Sequence, residues 1–143
     1  MSQDFEIIDF HSHYIHPSWT VTTARSGNQA NRERWARINR DLSDRDALVA
    51  DIDSGDIAGR VINSPTAFIE EADGSFPEDA PARLNDQLAE LVATRPRQLF
   101  GLATVDTFGG EGAARELERA VRELGFKGVF LESGRGQLLI NAP

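Results

Sequence analysis

Short apolar runs alternate along the chain with longer stretches in which apolar residues recur every three or four positions. The runs are Ile7-Ile8-Asp9-Phe10-His11-Ser12-His13, Ile57–Asn63, Leu99–Val105 and Lys127–Leu131. Each is short, rich in Ile, Val, Leu and Phe and lacks a clean polar alternation, as strands buried on both faces do. Between them the spacing predicts helices. Leu48 and Ile52 lie one turn apart in a segment that Ser43 is expected to cap, with Asp46 three residues on and Gly55 at its end. Leu84, Leu88, Leu91 and Val92 form a stripe that begins near Pro81 and stops before Pro96. Ala114, Leu117, Val121 and Leu124 form another, led in by Gly109-Gly110 and ended by Gly125, with Glu118 and Arg122 paired on its outer side.

Two segments break the rhythm. Residues 18–41 are polar, carry Trp19 and Trp35, and read as a long loop insertion with a short helix over Asn31–Arg40. Gln137–Pro143 reads as a connection. The order βαβαβαβ with buried strands predicts a parallel α/β sheet built by right-handed crossovers. Two architectures satisfy it. One is an open sheet with helices on both faces; the other is the first half of a (β/α)8 TIM barrel, which takes about 250 residues in full.

At 143 residues the chain is long enough for one packed core. Its net charge of −8 argues against nucleic acid or an anionic membrane as partner. With no cysteine, disulfides and thiolate ligands are excluded. The segment Met1-Ser2-Gln3-Asp4 lacks the basic region and apolar core of a signal peptide, and no apolar run spans a membrane, so a cytoplasmic protein is expected.

The chemistry concentrates at the end of the first strand. Residues two apart on a strand share a face, so His11 and His13 present two imidazoles to one side. The carboxyl end of a strand is where α/β proteins place ligands. Imidazole suits zinc and other divalent transition ions, but a catalytic zinc takes about three protein ligands plus water, so this pair is part of a site. His16, three residues further on, reads as a loop histidine.

The stretch Ile8-Asp9-Phe10-His11-Ser12-His13-Tyr14-Ile15 with Pro17 resembles the opening Ile-Asp-x-His-x-His strand of the amidohydrolase superfamily. It is similar above all to the amidohydrolase 2 branch, which includes aminocarboxymuconate-semialdehyde decarboxylase. The segments Leu99–Val105, Ala114–Ala120 and Leu124–Val129 resemble the branch's third strand, third helix and fourth strand. The resemblance implies that residues 1–143 are the N-terminal half of a metal-dependent amidohydrolase barrel with a divalent metal, usually zinc. His11 and His13 would be ligands, and the remaining ligands would come from strands five, six and eight, beyond this sequence. It also implies a small carboxylated or aromatic substrate, with hydrolysis or decarboxylation both open. Within a barrel the loops after the strands meet substrate, which makes Trp19, Arg25, Asn63, Asp106 and Arg135 candidates, Arg135 as a fork for a carboxylate. Asp9, taken to share a strand face with His11, is a candidate to orient it.

A half-barrel exposes an edge strand and apolar core, so pairing with a second copy or with the C-terminal half is expected, and the isolated fragment is expected to bind metal weakly and be inactive. The competing reading from another class is a non-catalytic open-sheet binding domain.

Overall fold

The computed structural model describes residues 6–19, 29–71, 74–135 and 137–141. The elements are β1 (Ile8–His13), α1 (Gln29–Ser43), α2 (Arg45–Asp53), β2 (Gly59–Asn63), a single 3-10 turn (Thr66–Phe68), α3 (Ala80–Ala93), β3 (Leu99–Thr104), α4 (Gly110–Arg122), β4 (Gly128–Phe130) and a small hairpin of β5 (Gly134–Arg135) and β6 (Leu138–Leu139). The four main strands are parallel and stand in the order β1-β2-β3-β4. That order runs one way with no reversal. A doubly wound sheet reverses at its switch point, whereas a barrel wall does not.

The helices agree with the wall. Leu48 and Ile52 of α2, Leu88 and Leu91 of α3 and Ala120 of α4 meet Ile62, Leu99 and Ala103 of the strands, with Tyr14 and Phe126, in one buried cluster. All these helices therefore cover one face of the sheet, and the open sheet with helices on both faces is not what forms. On the other face Gly59 brings Ile8 and Phe100 together; a Cβ there would stand 3.2 Å from each side chain. Gly101 faces the helices, where a Cβ would meet the Phe126 ring at 2.4 Å. These four parallel strands and their helices are the first half of a (β/α)8 barrel.

Several boundaries differ from the periodicity. The helix expected over Asn31–Arg40 runs from Gln29 to Ser43, so most of the 18–41 insertion is helical. Ser43 is its last residue and turns its hydroxyl back to the Asn39 carbonyl at 2.8 Å; the cap of α2 is Asp44, which accepts from the Ala47 N–H at 2.9 Å. On α4 Ala120 is buried and Leu117 partly so, joined past the helix end by Leu124, while Ala114 and Val121 are exposed. The stripe is rotated because α4 packs toward α3 and β3. The expected pair Glu118–Arg122 forms at 2.8 Å. The expected connection Gln137–Pro143 contains β6, which pairs back antiparallel on β5.

A buried polar chain ties the carboxyl ends of the strands together. The Asn63 carbonyl accepts the Tyr14 N–H at 3.0 Å, and the Ser64 hydroxyl donates to the Tyr14 carbonyl at 2.5 Å. Thr104 Oγ1 donates to the Ser64 carbonyl at 2.8 Å, and Asn85 of α3 exchanges two hydrogen bonds with the Thr104 backbone, each 2.8 Å. These bonds fix the strand ends from which the histidines project.

Candidate metal centre

Strict alternation places Asp9 on the face of His11, but β1 does not alternate strictly. Its register passes from Asp9↔Arg60 to Ser12↔Ile62, three residues of β1 against two of β2. That bulge puts Ser12 on the side of Asp9, whose carboxylate accepts from the Ser12 hydroxyl at 2.7 Å and ion-pairs with Arg60 Nε at 3.0 Å. Arg60 reaches on to Asp51 of α2, so this is the helix side. Asp9 reaches His11 through the backbone, accepting its N–H at 3.1 Å. Burial pushes the Asp9 carboxyl up, but the bonds from Ser12 and His11 and the charges of Arg60 and His11 outweigh it and hold the group below its ordinary value. Asp9 thus pins the bulge that aims the next residues, rather than sharing a face with His11.

Beyond the bulge the two rings come together. The imidazoles of His11 and His13 stand edge to face with centroids 4.7 Å apart. His13 packs against Phe68 at 5.4 Å and Phe130 at 6.0 Å, both edge-on, and its Nδ1 is 2.8 Å from Asn63 Oδ1. Burial pushes the His13 pKa down and the neighbouring His11 lowers it further, against the Asn63 bond, which raises it. A neutral imidazole is the form that binds metal. The chemistry of this donor set fits one side of a divalent transition-metal cage. Among the described residues no group of three or more His, Asp or Glu side chains could hold an ion.

The other candidates sit apart. His16 Nδ1 bonds Ser18 Oγ at 2.8 Å in a local turn. Trp19 donates from Nε1 to Gln87 at 2.7 Å, lies under Arg83 and packs on the cluster of Ile15, Ile69, Ala80 and Leu84. Arg25 lies outside the described residues. Asp106 and Arg135 pair with each other at 3.0 Å, and the Arg135 guanidinium lies over the Phe76 and Phe108 rings. They line a cleft of about 740 Å³, with Phe76, Pro81 and Glu116, whose walls include neither histidine nor Asn63. Of the candidates for substrate contact among the described residues, Trp19, Asn63, Asp106 and Arg135, Asn63 alone is shown in contact with the histidine pair.

Three residues at this end escaped the sequence reading. Phe130 ends β4, where an inward aromatic is legible from strand parity. Phe68 rides a 3-10 turn with no periodic signal. Glu132 holds that turn, accepting from Thr66 Oγ1 at 2.7 Å and from the Ala67 N–H at 2.9 Å.

The sequence profile of the amidohydrolase family, Amidohydro_2, matches residues 8–139. Gamma-resorcylate decarboxylase of Polaromonas sp. strain JS666 is 37% identical over 91 residues, 64% of this chain and 28% of that protein. The crystal structure of a dihydroxybenzoic acid decarboxylase from Polaromonas sp. JS666, with bound manganese and the inhibitor 2-nitroresorcinol, superposes with a TM-score of 0.61 at 26% identity, over 87% of this chain and 37% of that one. In fold, 5-carboxyvanillate decarboxylase from Sphingomonas paucimobilis is similar with a TM-score of 0.72 at 22% identity, over 96% of this chain and 46% of that one. The chain therefore spans less than half the length of each of these proteins. With the family profile covering nearly its whole length and its strands forming the first wall of that barrel, the chain belongs to the amidohydrolase family.

Proposed function

We propose that this barrel wall serves a metal-dependent decarboxylase of small aromatic carboxylates. The observation that carries the reading is the pair of imidazoles at 4.7 Å on the uncovered side of β1, with Phe68 and Phe130 beside them. A bound divalent ion, zinc or manganese, would supply a positive centre for the oxygens of the substrate. His11 and His13 hold that ion from one side, and the aromatic edges of Phe68 and Phe130 favour a planar ring over a flexible chain. The named decarboxylases among the similar proteins support loss of carbon dioxide over hydrolysis. Hydrolysis of an amide or ester on the same ion is the second reading, because the two reactions share this half of the ligand set.

The domain reading follows from the same wall. Ile7, Phe10, Leu131, Leu139 and Ile140 are all about half exposed or more, Phe10 at 71%. Ile7 and Phe10 belong to the β1 edge of the sheet and Leu131 follows β4 at the other, neither edge pairing further among the described strands, while Leu139 and Ile140 lie on the hairpin beyond β4. Exposed apolar surface beside open parallel edges needs covering, and four further βα units, from the C-terminal half or a second copy, would cover it. Trp19, Asp106 and Arg135 then build the rim of the barrel mouth.

The test is an assay of the completed barrel, loaded with Zn²⁺ or Mn²⁺, on 2,6-dihydroxybenzoate. Release of carbon dioxide with formation of the dihydroxybenzene, abolished by chelator, is the expected result. Metal-dependent hydrolysis of amide or ester substrates with no carbon dioxide release from aromatic acids overturns it.

A further inference from the structure

Asn63 was expected to meet substrate, yet its side-chain oxygen is already engaged. Oδ1 lies 2.8 Å from Nδ1 of His13, and the residue is only 3% exposed. An amide oxygen can only accept, so the hydrogen of this bond belongs to the imidazole. We propose that Asn63 is the positioning residue that fixes His13 as its Nδ1–H tautomer, leaving the Nε2 lone pair as the metal-binding atom. This deepens the metal-centre reading and rests on it only for the identity of the ligand.

The surroundings make Asn63 suited to this. Asn63 and His13 are register partners on β2 and β1. The Asn63 carbonyl holds the Tyr14 N–H, and the Ser64 hydroxyl holds the Tyr14 carbonyl, so the residues on both sides of the bond are pinned by the backbone. The bond therefore orients the ring without adding a charge beside it. A carboxylate in that place would do the same and donate more electron density; an aliphatic side chain would leave ring and tautomer unset. Hydrogen-bond partners of metal-binding histidines change metal affinity by roughly 10–100-fold when removed. The Asn63 Nδ2 atom is buried and has no hydrogen-bond partner, so exchanging the amide nitrogen for oxygen breaks no existing bond. That makes Asn63→Asp a conservative probe and Asn63→Leu, of similar size, its counterpart.

The experiment is long-range ¹H–¹⁵N correlation spectroscopy of the histidine rings in the 143-residue chain, followed by Zn²⁺ titration of wild type, Asn63→Asp and Asn63→Leu. Expected is an Nδ1–H signature for His13 in wild type and Asn63→Asp. Asn63→Leu gives a mixture of tautomers and Zn²⁺ affinity at least tenfold weaker, while Asn63→Asp stays within threefold of wild type or binds tighter. An Nε2–H tautomer at His13 in wild type overturns the proposal without recourse to any variant. So does an Asn63→Leu chain that keeps both the tautomer and the affinity. If no histidine of the wild type responds to Zn²⁺, the metal reading fails, and the tautomer spectrum alone decides the role of Asn63.

Discussion

Asn85→Ala is expected to destabilise the fold by about 3–5 kcal/mol, among the larger effects a single substitution produces. Asn85 is fully buried on α3. Its Nδ2 donates to the Thr104 carbonyl at 2.8 Å and to Glu116 Oε1 at 2.7 Å, and its Oδ1 accepts the Thr104 N–H at 2.8 Å. Truncation strands the backbone N–H and C=O of Thr104 in a buried setting and takes one partner from Glu116. Leaving a buried donor or acceptor unmade costs about 1–3 kcal/mol each, which is more than the bonds contribute net. The damage spreads because Thr104 also holds Ser64, and Ser64 holds the residue after His13. Urea unfolding followed by circular dichroism measures it. A loss below about 1 kcal/mol would mean that water or a shifted backbone satisfies these groups after truncation.

The second large effect is on the metal, and it should come without a stability change. His11 is exposed, so His11→Ala removes a ring that buries little and is expected to alter stability by no more than about 0.5 kcal/mol. In the completed barrel it should weaken metal binding by about a hundredfold or more, beyond what loss of an outer hydrogen-bond partner does. His16→Ala is the control, because its ring is spent on the Ser18 turn. Metal content after dialysis against a buffered Zn²⁺ pool reads the difference. A His11→Ala protein that retains its ion as wild type does would remove His11 from the ligand set.

How much of this was legible in the sequence differs from place to place, for physical reasons. The order of elements was, because apolar runs and helical stripes switch period along the chain, and glycines such as Gly55 and Gly125, both at positive φ, mark where helices stop. The half-barrel was legible through resemblance; the pattern alone favoured an open sheet, and the unreversed strand order decides between them. The approach of the two histidine rings could be read from their spacing, but spacing alone does not show how the strand turns them. Strand parity puts Asp9 with His11, and the bulge held by Asp9, Ser12 and Arg60 breaks that parity. Nothing in the local sequence announces a bulge, since it depends on a partner strand about fifty residues away. Asp106 and Arg135 each looked available for a substrate because a sequence does not show that two opposite charges, 29 positions apart, meet and neutralise one another. The wrong phase of α4 has a related cause: Val121 is apolar enough for a core, but it lies on the exposed side of the helix.

The most direct test of the metal centre uses the three histidines of the chain as reporters of one another. In the ¹⁵N-labelled 143-residue chain titrated with Zn²⁺, the ring nitrogens of His11 and His13 should shift together along a single weak isotherm while those of His16 stay still. Tight stoichiometric uptake by this chain alone would show that its ligand set is complete without the rest of the barrel, and His11 and His13 responding at separate concentrations would show that the two rings do not share an ion.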